Sequence, residues 1–249
     1  MVDMQNYKTI YSSKERINGS NNAWDYYFIQ PDGISLEDAY RSKDVVLSSA
    51  YMSKALFREF HSLDESILKK KSEIAQSCGL NHYVIDFIRS NSANVLDAVR
   101  KSRVLGVYCR GTLYNIIKGH QKRPDVSEYV KNIHHFVKKS SYDNIFIVSD
   151  EQEYIDELVA VFPKALYVKH PRQKAFNVEE TKTFQEVLPE REMSTNENLL
   201  WYLSDVYIFS NCKSILCTMN NGVYTAILWN GGQYEEIRFL GGKNETRKD

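Results

Sequence analysis

The 249-residue sequence lacks most of the signatures from which a function is read directly. Its four cysteines, Cys78, Cys109, Cys212 and Cys217, form no C-x-x-C pair, which argues against a zinc site or a thiol redox centre. No two aspartates are spaced D-x-D, so the usual metal clamp for a sugar nucleotide is not evident, and no metal is expected. P-loop, G-x-G-x-x-G and G-x-S-x-G motifs are all missing. Lys+Arg and Asp+Glu both number 32, a balance that disfavours a general nucleic-acid binder. The longest apolar stretch, Leu199 to Phe209, is too short to span a membrane and contains Asp205. Met1 to Tyr7 is polar rather than a secretory signal, and the expected location is the cytoplasm.

What is present is an ordinary globular composition, 43% hydrophobic and 26% charged, enough for a sizeable core. Cys109 and Cys217 sit in apolar runs and read as small core residues. Residues 1–102 are mostly helical in pattern, with a dense aromatic run from Trp24 to Phe28, a turn at Gln30-Pro31-Asp32-Gly33 and a short buried strand at Val45-Val46-Leu47. From residue 103 the pattern becomes strand, helix, strand, helix. Strands are expected at 104–109, 145–148, 166–168, 214–217 and 237–239. A one-sided apolar stripe marks a helix at 125–139, opened by Asp125-Val126-Ser127-Glu128 directly after Pro124. A second helix is expected at 151–162. Alternation of this kind indicates parallel βαβ units, so the fold class is α/β. A Rossmann-like parallel-sheet lobe covers 103–242, beside a smaller, mostly helical N-terminal lobe over 1–102, with a polar tail at 243–249. Residues 170–196 are polar and Pro-punctuated, and read as a loop over the sheet's rim.

Ligands of open α/β sheets bind beyond the carboxyl ends of the strands. There, Arg110-Gly111-Thr112 follows the first apolar strand, and a loop holding His120, Lys122 and Arg123 comes next. Arg110 read alone fits a surface ion pair equally well. Clustered donors and a glycine that admits a close approach suit a doubly charged anion, the diphosphate of a nucleotide sugar. Asp205 lies in a helix apolar on nearly every side, where a carboxylate needs a donor. That donor is either an internal partner such as an arginine or a ligand offering two adjacent N–H groups, as guanine does. Thr218-Met219-Asn220-Asn221-Gly222 joins a strand to a helix N-terminus. Asn220 or Asn221 either caps that helix or shares its free amides with an anion. Ser149-Asp150-Glu151 ends another strand, where Asp150 serves the following helix or lines the same cleft.

The region Val104 to Thr112 resembles the strand and arginine motif of GDP-fucose-dependent fucosyltransferases: the α-1,6-fucosyltransferases, the nodulation enzymes and the protein O-fucosyltransferases. It is most similar to a bacterial group of polysaccharide-biosynthesis glycosyltransferases. Their aromatic stretch ending F-x-Q-P, then V-x-x-R-G-T-D-Y, then G-H-P-x-x-P, is echoed by Trp24 to Pro31, Val107 to Tyr114 and Gly119 to Pro124. Ile145 to Asp150, Leu203 to Asn221 and Asn230 to Glu235 resemble further segments. The resemblance implies a two-lobed GT-B arrangement and an inverting, metal-independent transfer of fucose or a related sugar from a GDP-sugar. The acceptor is a glycan or lipid-linked saccharide, the latter bringing peripheral contact with a membrane. It gives Arg110 the β-phosphate and the departing GDP, and Asp205 the guanine. Asn221, with Thr218, Asn220 and Gly222, holds the phosphates. Asp150, Gly111, Thr112 and His120 line the nucleotide pocket. No cofactor is implied beyond the GDP-sugar donor. Leu113 stands where the family has Asp, Tyr108 where it has His, and Asn220-Asn221 where it has a Ser/Thr pair. The glycine-rich unit that precedes Asp3 to Tyr7 in relatives is absent here, which implies an incomplete acceptor lobe. A non-catalytic GDP-sugar-binding module is the alternative.

Overall fold

The computed structural model describes residues 2–5, 16–46, 63–111, 123–172 and 194–241. Its residues group into two compact units, Met1–Asn91 with Ile227–Gly232, and Ser92–Ala226 with Gln233–Asp249.

In the first unit, one 3-10 turn at Pro31–Gly33 precedes helices α1 (Leu36–Arg41) and α2 (Glu65–Ser77) and the start of α3 (His82–Lys101). Ser35 and Asp64 cap α1 and α2 by accepting from the amides of Asp38 and of Ser66 and Ile67. The aromatic run is buried at Tyr26 and Tyr27 and tied to the α2–α3 turn. Asn81 donates its amide to Tyr27 O at 3.0 Å and its side chain to Asp25 O at 2.8 Å. Gln30 clamps the N-terminal segment, accepting from the Val2 amide at 2.8 Å and donating to Val2 O at 2.8 Å. The buried strand expected at Val45-Val46 does not form. Both residues are exposed and in no regular element, and Leu47 lies outside the described residues. β-branched residues favour a strand only where a neighbouring strand buries them, and among the described residues none lies beside these two. α3 departs from helical geometry at Ser92 (φ −140°, ψ 16°), where the division into units falls.

The second unit is built on a parallel sheet. β1 (Val104–Cys109), β2 (Asn144–Ser149), β3 (Ser214–Cys217) and β4 (Ile237–Phe239) lie in the order β2-β1-β3-β4. Helices α4 (Val126–Lys139) and α5 (Gln152–Val161) follow β1 and β2, α6 (Thr195–Phe209) precedes β3, and α7 (Asn221–Asn230) follows it. The expected strands at 104–109, 214–217 and 237–239 are those observed, whereas 166–168 contributes a single bridge, Leu166 to Phe146. β1 is buried throughout, and its alternate residues serve opposite faces. Leu105, Val107 and Cys109 join Tyr129, Ile133 and Phe136 of α4 and Tyr154, Ile155 and Leu158 of α5 in one apolar cluster. Gly106 and Tyr108 face the other way, toward Phe209 at the end of α6. Gly231 and Gly232, both at positive φ, end α7 as its Asn-Gly-Gly sequence predicts.

Because β2 lies on one side of β1 and β3 on the other, the chain reverses its winding direction between β1 and β3. In such sheets the carboxyl ends of the strands at that reversal are the usual ligand position. Register pairs Tyr108 with Cys217 and Cys109 with Ser149, so Arg110 and Asp150 emerge level with each other while Thr218 lies level with Cys109, one residue earlier.

A Cβ on Gly106 would lie 2.7 Å from Phe209 Cε2 and 3.0 Å from Cys212 Sγ. Gly106→Ala is therefore expected to lower stability by about 1–3 kcal/mol through overpacking, seen as a reduced urea midpoint. An unchanged midpoint would show that α6 does not lie against the strand as described.

Candidate functional site

The site is assembled at the carboxyl rim of the sheet. At the end of β1, Arg110 Nη1 donates to Asp150 Oδ2 at 3.2 Å, and the Gly111 amide donates to Asp150 Oδ1 at 2.6 Å. Asp150 thereby straps the two strand ends together. A Cβ on Gly111 would come within 2.6 Å of Glu151 Cγ and 2.8 Å of Asp150 Oδ1, so only glycine admits this approach. Beside it, Arg123 Nη1 pairs with Glu151 Oε2 at 2.7 Å and stacks 4.3 Å above the Tyr154 ring. The Glu151 carboxylate is buried, and Arg123 supplies the charge that its burial requires.

Asp205, on α6, is buried. Its Oδ2 lies 2.9 Å from His170 Nε2 and 4.0 Å from Arg172 Nη2. The His170 ring stacks on Trp201, one turn earlier on α6, at 5.3 Å and 15°. Arg172 is buried and donates to the carbonyls of Val168 (2.6 Å), Ser149 (3.0 Å) and His170 (3.3 Å). Burial pulls its pKa below the ordinary arginine value, and the Asp205 charge opposes that shift. Among the described residues, Asp205 Oδ1 is buried and makes no hydrogen bond. The internal partner that the sequence allowed for is therefore present at one carboxylate oxygen, and the other has none among the described residues.

At the start of α7, Asn220 is the cap. Its Oδ1 accepts from the Val223 amide at 3.0 Å, and its Nδ2 donates to Thr218 O at 3.1 Å. Thr218 is fully buried, whereas Asn221 is exposed and its carbonyl receives the Thr225 hydroxyl at 2.8 Å. Gly222 faces two phenols: a Cβ there would lie 2.5 Å from Tyr202 Oη and 3.2 Å from Tyr108 Oη.

Tyr108 occupies the middle of this arrangement. Its hydroxyl is within electrostatic reach of Tyr202, Arg110, Asp150 and Asp205. The charges of Arg110, Asp150 and Asp205 thus act on one phenol that lies against Gly222, with Thr218, Asn220 and Asn221 on the adjoining turn. Thr112 and His120 lie outside the described residues. His170, Arg172 and Tyr202 also belong here, although the sequence pattern places them only in a rim loop and an apolar helix. The signal for the first two was the apolar triplet Leu166-Tyr167-Val168 running into a basic segment at a strand end. For Tyr202 it was its place one turn before Asp205, on the same helical face. Among the described residues, no group of three or more His, Cys, Asp or Glu side chains could hold a metal ion, and no helix is long and apolar enough to cross a membrane.

No protein-family model matches the chain, and no curated protein matches it. Similar solved structures include a NodZ alpha-1,6-fucosyltransferase soaked with GDP-fucose, at 15% identity over 62% of this chain and 44% of that one, TM-score 0.41. A NodZ alpha-1,6-fucosyltransferase co-crystallised with GDP gives 16% identity over 61% and 43%, TM-score 0.39. Fucosyltransferase NodZ from Bradyrhizobium gives 13% over 84% and 76%, TM-score 0.44. The chain spans less than half the length of the first two.

The Asp205 cluster predicts a stability effect. Asp205→Ala leaves Arg172 and His170 without their carboxylate and should cost about 3 kcal/mol or more in urea unfolding, as removal of one partner from a buried pair does. Asp205→Asn keeps a hydrogen-bonding oxygen and should cost less. Equal stability of Asp205→Ala and the wild type would show that the pairing with His170 carries no energetic weight.

Proposed function

We propose that this protein is a glycosyltransferase that moves fucose or a related deoxyhexose from a GDP-sugar to a glycan or lipid-linked saccharide. The observation that carries the reading is the gathering of Arg110, the first turn of α7 and the half-satisfied Asp205 at the point where the sheet reverses its winding. An arginine at a strand end and the positive end of a helix are the groups a diphosphate requires. A buried carboxylate oxygen lacking a donor suits an N–H of a nucleobase. Since His170 already engages Oδ2, Oδ1 is the oxygen left for the base, and the contact to guanine is a single hydrogen bond rather than a parallel pair.

The chemistry follows from that placement. Negative charge grows on the β-phosphate as the sugar leaves, and it is met by Arg110, already aligned by Asp150, and by the dipole of α7. An acceptor hydroxyl attacks from the opposite face of the sugar and inverts the anomeric centre. Asp150 positions Arg110. The reading extends to a GT-B arrangement of lobes, metal-independent transfer, a role in bacterial polysaccharide assembly and a cytoplasmic location with peripheral membrane contact through the acceptor. A second reading, a GDP-sugar-binding module without turnover, is favoured by Leu113, which stands where the related motif carries an aspartate.

Two measurements test this. In a thermal-shift panel, GDP should raise the melting temperature more than UDP or CMP does. Arg110→Ala should keep the fold and lower transfer from GDP-fucose by roughly 10²–10³-fold, the loss that follows removal of one preorganised charge-stabilising donor. Transfer at the wild-type rate in Arg110→Ala would overturn the assignment. Selective GDP binding without turnover in the wild type would establish the binding module instead.

A further inference from the structure

Tyr108, the penultimate residue of β1, is 3% exposed, and its ring meets Phe209 edge-on at 5.5 Å. Buried phenols ordinarily place their hydroxyl on a partner. Among the described residues, the Tyr108 hydroxyl forms no hydrogen bond. Burial holds its pKa well above the ordinary tyrosine value, so it stays a neutral O–H donor in search of an acceptor.

The direction in which this donor points is informative. It lies 3.2 Å from the place where a Cβ on Gly222 would be, and Tyr202 Oη lies 2.5 Å from the same place. Two phenol oxygens thus fill the space a side chain would take on the first turn of α7. That turn presents amides without intrahelical acceptors and the positive end of the helix dipole. Asn220 Oδ1, also near, is already engaged by the Val223 amide. Arg110 contributes positive charge toward the hydroxyl, while Asp150 and Asp205 contribute negative charge. An anion seated here therefore depends on neutral donors as well as on Arg110.

We propose that the Tyr108 hydroxyl donates a hydrogen bond to an oxygen of a phosphate group seated on the first turn of α7, with Tyr202 beside it and Gly222 leaving both phenols room against that turn. The inference rests on the nucleoside-diphosphate reading above and adds to it a neutral donor and the reason for glycine at 222.

The test is calorimetric titration of the wild type, Tyr108→Phe and Gly222→Ala with inorganic pyrophosphate, GDP and UDP. Tyr108→Phe should keep the wild-type melting temperature, because it deletes a hydroxyl with no internal partner, and should bind pyrophosphate and GDP roughly tenfold or more weakly. Gly222→Ala should weaken both as well, by displacing the phenols. Unchanged affinity in Tyr108→Phe, with GDP still preferred to UDP, overturns the phenol contact and leaves the donor assignment standing. Weakened pyrophosphate binding with no preference for GDP supports the phenol contact and removes the guanine assignment. A wild type that binds none of the three probes overturns both.

Discussion

The arrangement depends on burying β1 on both faces. A strand at the centre of a parallel sheet has no solvent side, so each residue must suit the helix it meets. Leu105, Val107 and Cys109 satisfy α4 and α5, whereas Gly106 makes room for Phe209 and lets α6 lie close on the other face. The same helix brings the Tyr202 hydroxyl against Gly222 on the first turn of α7 and Asp205 to His170 and Arg172.

Charge at this rim is balanced pair by pair. Asp150 serves Arg110, Glu151 serves Arg123, and Asp205 serves His170 and Arg172. Such pairs contribute little net stability, since desolvation offsets much of the attraction, but they fix orientation. Among the described residues, Asp205 Oδ1 and Thr218 Oγ1 are buried without a hydrogen bond, and the hydroxyl of Tyr108 makes none either. Asp205 Oδ1 and the Tyr108 hydroxyl are the two that bear on a ligand. One lacks a donor and the other an acceptor. A ligand with an N–H at one end and a phosphate oxygen at the other would satisfy both, which is the reason for reading the rim as a nucleotide site.

Much of the sheet lobe was legible in the sequence. β1 reads as a continuous apolar run because both of its faces are buried, and α4 as a one-sided stripe because only one of its faces is. The capping residues Asp125 and Asn220 and the Gly231-Gly232 stop are local devices, readable without tertiary information. Val45-Val46 misled because strand propensity needs a partner that the sequence cannot display. His170 and Arg172 were hidden for a different reason. Their roles are set by a carboxylate some 35 positions away in the chain, and no local pattern records that pairing. Tyr108 was visible only as a departure from the fucosyltransferase motif, and its importance emerged from the space left by Gly222, a contact between distant segments.

The central claim is that Arg110, the α7 turn and the Asp205 cluster form one nucleotide site. Amide hydrogen exchange of the wild-type protein with and without GDP tests it most directly. The account predicts that residues 110–111, 168–172 and 218–224 gain protection together over a single range of GDP concentration. Protection confined to one of these segments, or absent from all three at saturating GDP, would contradict it.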